Sequence, residues 1–264
     1  MIIARRRGWD GGRPGKADLL AARQNRQFFL VFQPIVAVAD GALRGFEALM
    51  RWQHPDRGEI PPSIFIPVAE ASGLISHFGE WALHEACQKA AAWPWGVQVS
   101  VNISAAHFRS ADFPSVVAAT LAASGLPAER LELEITESVR LETPDQVVGA
   151  FDQLRGFGVR LTLDDFGTGW SSLDMLRRLP FDGLKIDQSL VTDLPSNPRA
   201  IAIVRSVLEL ARDLDICVTA EGVEEAAQLQ ILRDLGCDQL QGFLVAIPQP
   251  EVVAPSRGLW LSCK

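Results

Sequence analysis

Glu47 interrupts an otherwise apolar run, Phe46-Glu47-Ala48-Leu49-Met50-Arg51-Trp52. Asn102, Glu134, the pair Asp164-Asp165, Lys185, Glu221 and Gln241 likewise follow or end short hydrophobic stretches. An apolar strand gains nothing from a carboxylate at its tip, whose lost hydration is uncompensated unless something there needs its charge. Seven such positions in series therefore read as one site assembled from many strand ends. Glu47, Asn102, Glu134, Asp164, Asp165 and Glu221 supply only oxygen ligands. Such a set suits Mg2+ or Mn2+, and Ca2+ less productively, whereas zinc would favour His or Cys. Five carboxylates are too much charge for one divalent ion. Two ions about 3.5–4 Å apart would balance them and suit in-line attack of water on a phosphodiester.

Strand periodicity refines these roles. Glu47, Leu49 and Arg51 share one face, which sets a metal ligand beside a guanidinium that matches phosphate oxygens bidentately. An intra-strand ion pair is the alternative for those two charges. Alternation puts Glu132, Glu134 and Thr136 on one side; Glu134 is the better ligand, Glu132 a structural group, and Glu137 belongs to the following loop. Asp164 and Asp165 cannot point the same way while their strand continues, so the turn Phe166-Gly167-Thr168-Gly169 is expected to redirect the second carboxylate. Lys185 among carboxylates should stay protonated, and would stabilise developing charge or hold the attacking water rather than act as a general base. The alternative for Lys185 is a buried counter-ion to Asp187 or Asp164.

The elements that position these residues alternate. Strands are expected at Phe29–Ile35, Leu43–Trp52, Val97–Asn102, Leu131–Ile135, Val159–Asp164, Gly183–Ile186, Cys217–Ala220 and Gln239–Leu244. Helices are expected at Ser76–Trp93, Pro114–Ser124, Pro144–Phe157, Pro198–Leu214 and Glu225–Leu235, three of them with Pro near the start. Strands alternating with helices imply parallel pairing through right-handed crossovers. Polar residues at the ends of nearly all strands favour an α/β fold of the (β/α)8, TIM-like barrel type, since a doubly wound sheet gathers its site at one switch point. The connection Val36–Ala42 is too short for a crossover helix, and Asp40-Gly41 signals a hairpin. The first strand should therefore run antiparallel, making the barrel irregular.

Composition narrows the function further. The chain has 264 residues, 48% hydrophobic and 22% charged, with a net charge of −7. That balance fits one large domain and disfavours a nucleic-acid polymer as partner. No apolar run reaches the roughly 18 residues of a membrane span. Cys87, Cys217, Cys237 and Cys263 lack zinc-site spacing and read as reduced thiols of a cytoplasmic protein. His84-Glu85 fails as a zincin motif because Gln88 stands where the second His belongs. Gly15-Lys16 fails as a P-loop because Asp10 replaces the first glycine and Ala17 the Ser/Thr. Residues 1–18 read as a flexible tail or linker remnant, 19–255 as the barrel and 256–264 as a C-terminal tail, with a helical lead-in over Ala17–Gln27. The Gly-rich start also reads as the join to an upstream part of a larger protein.

Several motifs, in order, carry a family resemblance. They are Gln33-Pro34-Ile35, Glu47-Ala48-Leu49 with Arg51-Trp52, Val101-Asn102-Ile103-Ser104 and Glu134-Ile135-Thr136-Glu137-Ser138. Asp164-Asp165-Phe166-Gly167-Thr168-Gly169, Leu184-Lys185-Ile186-Asp187, Ala220-Glu221-Gly222-Val223-Glu224 and Gln241-Gly242-Phe243 continue the series. From about Gln27 to Pro250 the chain resembles the EAL-domain cyclic-di-GMP phosphodiesterases. The resemblance implies hydrolysis of cyclic-di-GMP to linear pGpG with two Mg2+ or Mn2+ ions, inhibited by Ca2+. It implies that Glu47, Asn102, Glu134 and Asp164 hold the first metal, with Asp164 bridging and Asp165 on the second. Lys185 and Glu221 resemble the residues that position the water, supported by Gln241; Gln33 and Arg51 resemble substrate contacts. Glu137 resembles the glutamate that holds the Asp164–Gly169 loop, Glu224 supports the site, and a homodimer is implied. An upstream sensory or GGDEF-type domain is a further expected partner. Phe32, Trp170 and Phe243 stand where the family often has Tyr, and Leu244–Pro248 lacks a small-then-basic pattern often found there. Two alternatives stay open: a receptor that binds cyclic-di-GMP without cutting it, and a two-metal phosphoesterase for another nucleotide.

Overall fold

The computed structural model describes residues 12–108, 110, 112–136, 144–168 and 172–252. Its strands are β1 (Phe28–Ala37), β2 (Leu43–His54), β3 (Gly58–Ile60), β4 (Gln98–Ile103) and β5 (Leu131–Thr136). They continue as β6 (Arg160–Phe166), β7 (Gly183–Ile186), β8 (Cys217–Ala220) and β9 (Gln239–Leu240). Helices are α1 (Lys16–Gln24), α2 (Pro62–Ala71), α3 (Ile75–Ala91), α4 (Ala105–Phe108) and α5 (Phe113–Ser124). After them come α6 (Pro144–Gly156), α7 (Ser172–Arg178), α8 (Gln188–Thr192), α9 (Pro198–Asp213) and α10 (Ala226–Leu235).

Parallel pairing runs from β2 to β4 and onward in order through β9. β1 closes the ring by pairing antiparallel with β2 on one side and β9 on the other. The result is an eight-stranded barrel in which β1 alone runs against its neighbours, as the short Val36–Ala42 connection predicts. Gly41 turns the chain at φ 70°, a conformation that favours glycine, while the Ala42 N–H donates to Asp40 Oδ1 at 3.0 Å.

Three expectations need correction. The last strand stops at Leu240 rather than Leu244, because the Val245 and Ala246 N–H groups turn back to the Gly242 carbonyl. A ninth strand, β3, pairs antiparallel with the end of β2 outside the ring. It follows a turn in which His54 Nδ1 accepts from the Asp56 and Arg57 N–H groups and Gly58 takes φ 71°. Helices α2, α4, α7 and α8 also escape periodicity. Pro67 lies inside α2, and the other three are too short to show a face.

Alternation along the strands separates two environments. Phe46, Val99, Val101, Leu131, Leu133, Leu161, Leu163, Leu184, Val218 and Leu240 are buried in one apolar cluster together with helix residues such as Leu83, Val117, Phe151, Leu154 and Val204. A second cluster gathers Leu19 and Ala22 of α1 with Phe28, Trp52, Ile60, Phe65 and Phe78. The opposite strand face buries Glu47, Ser100, Glu134, Thr162, Asp164, Lys185 and Thr219. Hydrophobic stabilisation therefore resides between barrel and helices, and the interior of the barrel is polar. Among the described residues Cys87, Cys217 and Cys237 are free thiols.

Gly242 follows Gln241 and lies so close to Val223 that an added Cβ would meet that residue's backbone. We predict that Gly242→Ala lowers stability by roughly 1–3 kcal/mol, as overpacking against backbone does, and that a lower urea midpoint will report it.

Candidate active site

The barrel delivers its polar residues to the C-terminal mouth of the parallel strands. Asn102 and Lys185 are the penultimate residues of β4 and β7, while Glu221 and Gln241 directly follow β8 and β9. Glu47 lies in the middle of the longer β2, opposite Gln33 of β1. Asn102 and Glu134 are direct cross-strand partners, as are Thr136 and Asp164.

Lys185 is the centre of the cluster. Its Nζ lies 2.6 Å from Glu221 Oε1, 2.9 Å from Glu134 Oε2, 3.2 Å from Glu47 Oε2 and 3.7 Å from Asp164 Oδ1. All five side chains are buried. Lys185 is thus a counter-ion to Asp164 and three glutamates, whereas Asp187 instead caps α8 by accepting from the Ser189 N–H at 2.9 Å. Glu47 is a second hub. Its Oε1 accepts from Asn102 Nδ2 at 2.7 Å, and its Oε2 accepts from Gln241 Nε2 at 2.7 Å. Gln241 Nε2 also donates to Gln33 Oε1 at 2.9 Å, and Gln33 Nε2 donates to the Ala246 carbonyl at 3.2 Å.

The adjacent aspartates are reconciled inside the strand rather than in the turn after it. Asp165 itself takes φ 58°, and the β6–β7 register shifts between Leu163 and Phe166. A left-handed residue at a register shift re-aims its side chain, and aspartate tolerates that region better than most residues. Ligand oxygens of Asp164, Asp165 and Glu221 consequently lie within 4.8 Å of one another. The Asp165 N–H donates to Asp164 Oδ1 at 2.9 Å and holds that carboxylate in place.

Burial and charge pull the ionisations apart. Burial opposes ionisation of Glu47, yet Lys185 and the Gln241 and Asn102 amides hold its carboxyl down at about 2. Burial, Glu47 and Asp164 push Glu134 well above the ordinary range against Lys185. Burial likewise lifts Glu221 to about 7, with Lys185 opposing and Asp164 adding to the rise. Burial alone would neutralise Lys185, but Asp164, Glu134, Glu221 and Glu47 raise it well above its usual value. It remains an ammonium, as its surroundings in the sequence imply.

Arg51 lies near this mouth but pairs elsewhere. Its Nε is 3.6 Å from Glu59 Oε1, and its Nη1 donates to the Met50 carbonyl at 2.9 Å. Glu59 lies on a three-residue strand that carries no periodicity, and the turn Pro55–Gly58 is its one signal in the sequence. The Ala246 carbonyl, a backbone group, left no trace in residue type. Glu132 is structural, accepting from Ser100 Oγ at 3.0 Å and lying 3.7 Å from Arg160. The exposed Glu224 side chain makes none of the cluster's contacts, and its N–H donates to Gln228 Oε1. Glu137 and Trp170 lie outside the described residues. Phe32 packs edge-on against Trp93 at 5.4 Å, so its ring is used without a hydroxyl, while Phe243 is exposed.

Comparison with known proteins places this geometry in a family. The EAL domain model matches residues 16–248, and the chain belongs to that family. It is 45% identical over 233 residues to an uncharacterized signaling protein of Caulobacter vibrioides, covering 88% of this chain and 29% of that protein. It is 42% identical over 237 residues to the bifunctional diguanylate cyclase/cyclic di-GMP phosphodiesterase MucR of Pseudomonas aeruginosa, covering 88% and 35% respectively. The chain thus spans about a third of the length of these curated relatives. The solved PaMucR phosphodiesterase in complex with c-di-GMP superimposes with a TM-score of 0.83 at 42% identity, covering 89% of this chain and 96% of that one.

The raised Glu221 predicts a pH effect on the metal-free protein. The fold favours its protonated form, so this contribution is full below pH 4.5 and is lost as pH rises through about 7. Glu134, also raised, acts in the same direction. In chelator, thermal unfolding of the wild type should lose more stability between about pH 5 and about pH 8 than Glu221→Gln does. His107, which burial lowers, titrates alike in both proteins and cancels from that difference.

Proposed function

We propose that this chain hydrolyses cyclic-di-GMP to linear pGpG and thereby lowers signalling by that second messenger. The observation that carries the reading is the buried carboxylate cluster around Lys185, at the barrel mouth of an EAL family member. The substrate is supported by MucR, a bifunctional diguanylate cyclase/cyclic di-GMP phosphodiesterase, and by the PaMucR phosphodiesterase in complex with c-di-GMP.

The donors suit two divalent cations, proposed as Mg2+ or Mn2+. Glu47, Glu134, Asp164, Asp165 and Glu221 carry five negative charges if all are ionised, and Lys185 carries one positive charge. Five minus one leaves four, the charge of two divalent ions. Glu134 Oε1 is buried without a hydrogen-bond partner among the described residues, as a ligand oxygen awaiting a cation would be. Glu47, Asn102, Glu134 and Asp164 are assigned to one ion and Asp165 to the other, with Asp164 shared. Ions held there would polarise the phosphodiester and lower the pKa of the attacking water.

The chain's own groups have distinct tasks in this reading. Lys185 and Glu221 hold the attacking water, and Gln241 fixes the Glu47 carboxylate from the far side. Gln33 and Arg51 take the substrate, Arg51 exchanging Glu59 for a phosphate. Glu137 holds the Asp164–Gly169 loop and Glu224 supports the site from outside the cluster. The barrel acts as a homodimer within a longer cytoplasmic protein that carries a sensory or GGDEF-type domain; the pairing of two activities in MucR supports the latter. Among the described residues no helix is long and apolar enough to cross a membrane.

Purified protein with Mg2+ should convert cyclic-di-GMP to pGpG, and Glu47→Ala, which removes an assigned metal ligand, should abolish the conversion. Replacing Mg2+ with Ca2+ should stop turnover. Metal-dependent binding without product on long incubation would instead assign the chain as a receptor. Binding of Mg2+ should also release more protons at about pH 6 than at about pH 8, because Glu134 must ionise to ligate and nearby cations favour the ionised form of Glu221. Calorimetry in buffers of different ionisation enthalpy measures that difference.

A further inference from the structure

The same strands have a second end. At the N-terminal mouth of the barrel an open cavity of about 660 Å³ is lined by Arg44, Gln98, Arg160, Cys217, Arg233 and Gln239, and by the Gly236–Asp238 turn. Arg160 stands four residues before Asp164 on β6, and Cys217 four before Glu221. Four residues of strand span about 13 Å. The cavity is therefore distinct from the carboxylate cluster, although the same strands bound both.

Its chemistry is the reverse of that cluster. In a chain of net charge −7, three guanidinium groups line this cavity against the single carboxylate of Asp238. Asp238 Oδ2 is already occupied, accepting from the Val218 N–H at 2.9 Å. Glu132 holds Arg160 from within at 3.7 Å, but Arg160 Nε is buried without a hydrogen bond. Arg233 Nη2 donates to the Val38 carbonyl at 3.2 Å, which spends one of its donors. Arg44 is exposed and makes no hydrogen bond or ion pair among the described residues. Even with Glu132 counted, the arginines outnumber the carboxylates.

The arginines share one cavity although they come from different elements. Burial, Asp238 and Glu132 raise the Cys217 thiol to about 11, while Arg160 and Arg44 both act on it in the opposite sense. Both guanidiniums line the same cavity as that thiol. An adjoining cavity of about 300 Å³ shares Arg160, Cys217, Gly236 and Asp238 and adds Arg212 together with Asp182 and Asp215, so the excess of guanidinium belongs to the larger cavity alone. Arg212 Nη2 would lie 3.3 Å from a Cβ built on Gly236. The bottom mouth of a TIM barrel ordinarily serves stability alone. Stability does not call for like charges gathered around a solvent-open hollow, where they repel one another.

We propose that this cavity binds a small anion carrying two or more phosphate groups. Guanidinium forks match phosphate oxygens in bidentate fashion, and Gln98 and Gln239 add amide donors. Arg44, Arg160 and Arg233 approach from β2, β6 and α10, so separated anionic groups use them better than one phosphate does. Among the described residues no aromatic ring lines the cavity, so recognition rests on the anionic groups rather than on a stacked base. This inference does not depend on the phosphodiesterase reading.

Titration calorimetry of the full chain with pyrophosphate, in EDTA and at matched ionic strength, tests it. Chelation keeps divalent ions away from the carboxylate cluster. Saturable one-to-one binding at about a millimolar or tighter is expected. The Arg44→Glu/Arg233→Glu double variant, with both changes at exposed positions, should bind about tenfold or more weakly while its circular dichroism stays that of the wild type and its melting temperature falls only by what the lost Val38 contact and the charge change at the end of α10 remove. Arg51→Ala, at the other mouth, should bind as the wild type does. Heats no larger than those of the salt control would overturn the proposal. So would weakening by Arg51→Ala but not by the double variant, and citrate binding more tightly than pyrophosphate would overturn the assignment to phosphate.

Discussion

One buried ammonium organises the barrel's interior. Lys185 Nζ lies within 4 Å of four carboxylates that come from β2, β5, β6 and the end of β8. Removing ions from water costs several kcal/mol each even after relaxation. A cluster of this kind persists only where every charge has a partner or awaits one. Lys185 satisfies part of that demand, and the Asn102 and Gln241 amides satisfy more at Glu47. The excess negative charge left over is the chemical potential for cations that the proposed reaction would use. Function and instability thus have a common origin: the acidic mouth is costly without metal for the same reason that it would hold metal.

This constraint explains where the apolar residues lie. A barrel whose interior buries glutamate, aspartate, lysine, serine and threonine cannot draw its stability from that interior. The helices must supply it, and the principal apolar cluster joins the outward face of the strands to their inner faces. The second cluster seals β1 and β2 beneath α1 and α2. β4, β5 and most of β6 accordingly alternate between apolar and polar positions, unlike the near-continuous apolar runs of a parallel sheet buried on two apolar faces.

That alternation is why so much was legible from the residues. Glu47, Asn102, Glu134, Asp164, Lys185 and Gln241 each break a hydrophobic run, and the structure brings all six into one hydrogen-bonded and ion-paired cluster. The antiparallel β1 was legible because seven residues cannot hold a crossover helix. What escaped has equally physical reasons. The left-handed turn at Asp165 is a backbone state that its neighbours in sequence do not announce. Glu59 sits on a strand of three residues, too short for any period, and the Ala246 carbonyl has no side-chain signature. The end of β9 was overrun because Phe243 and Leu244 continue the apolar character of a strand after its ladder has ended.

The reversed first strand also governs when the site can exist. Gln33 reaches its two partners, Gln241 and Ala246, across 208 and 213 residues of chain, and Glu47 reaches Gln241 across 194. β1 meets β9 antiparallel, and Phe32 bridges to Gln249. A chain leaving the ribosome therefore carries Glu47 and Lys185 long before the ring can close, with the acidic lining open to water until its last strand arrives. Non-local pairings of this span are slow to form. The barrel's assembly is in effect a delayed latch: the carboxylates acquire their full environment only after β9, the last strand of the ring, has been made.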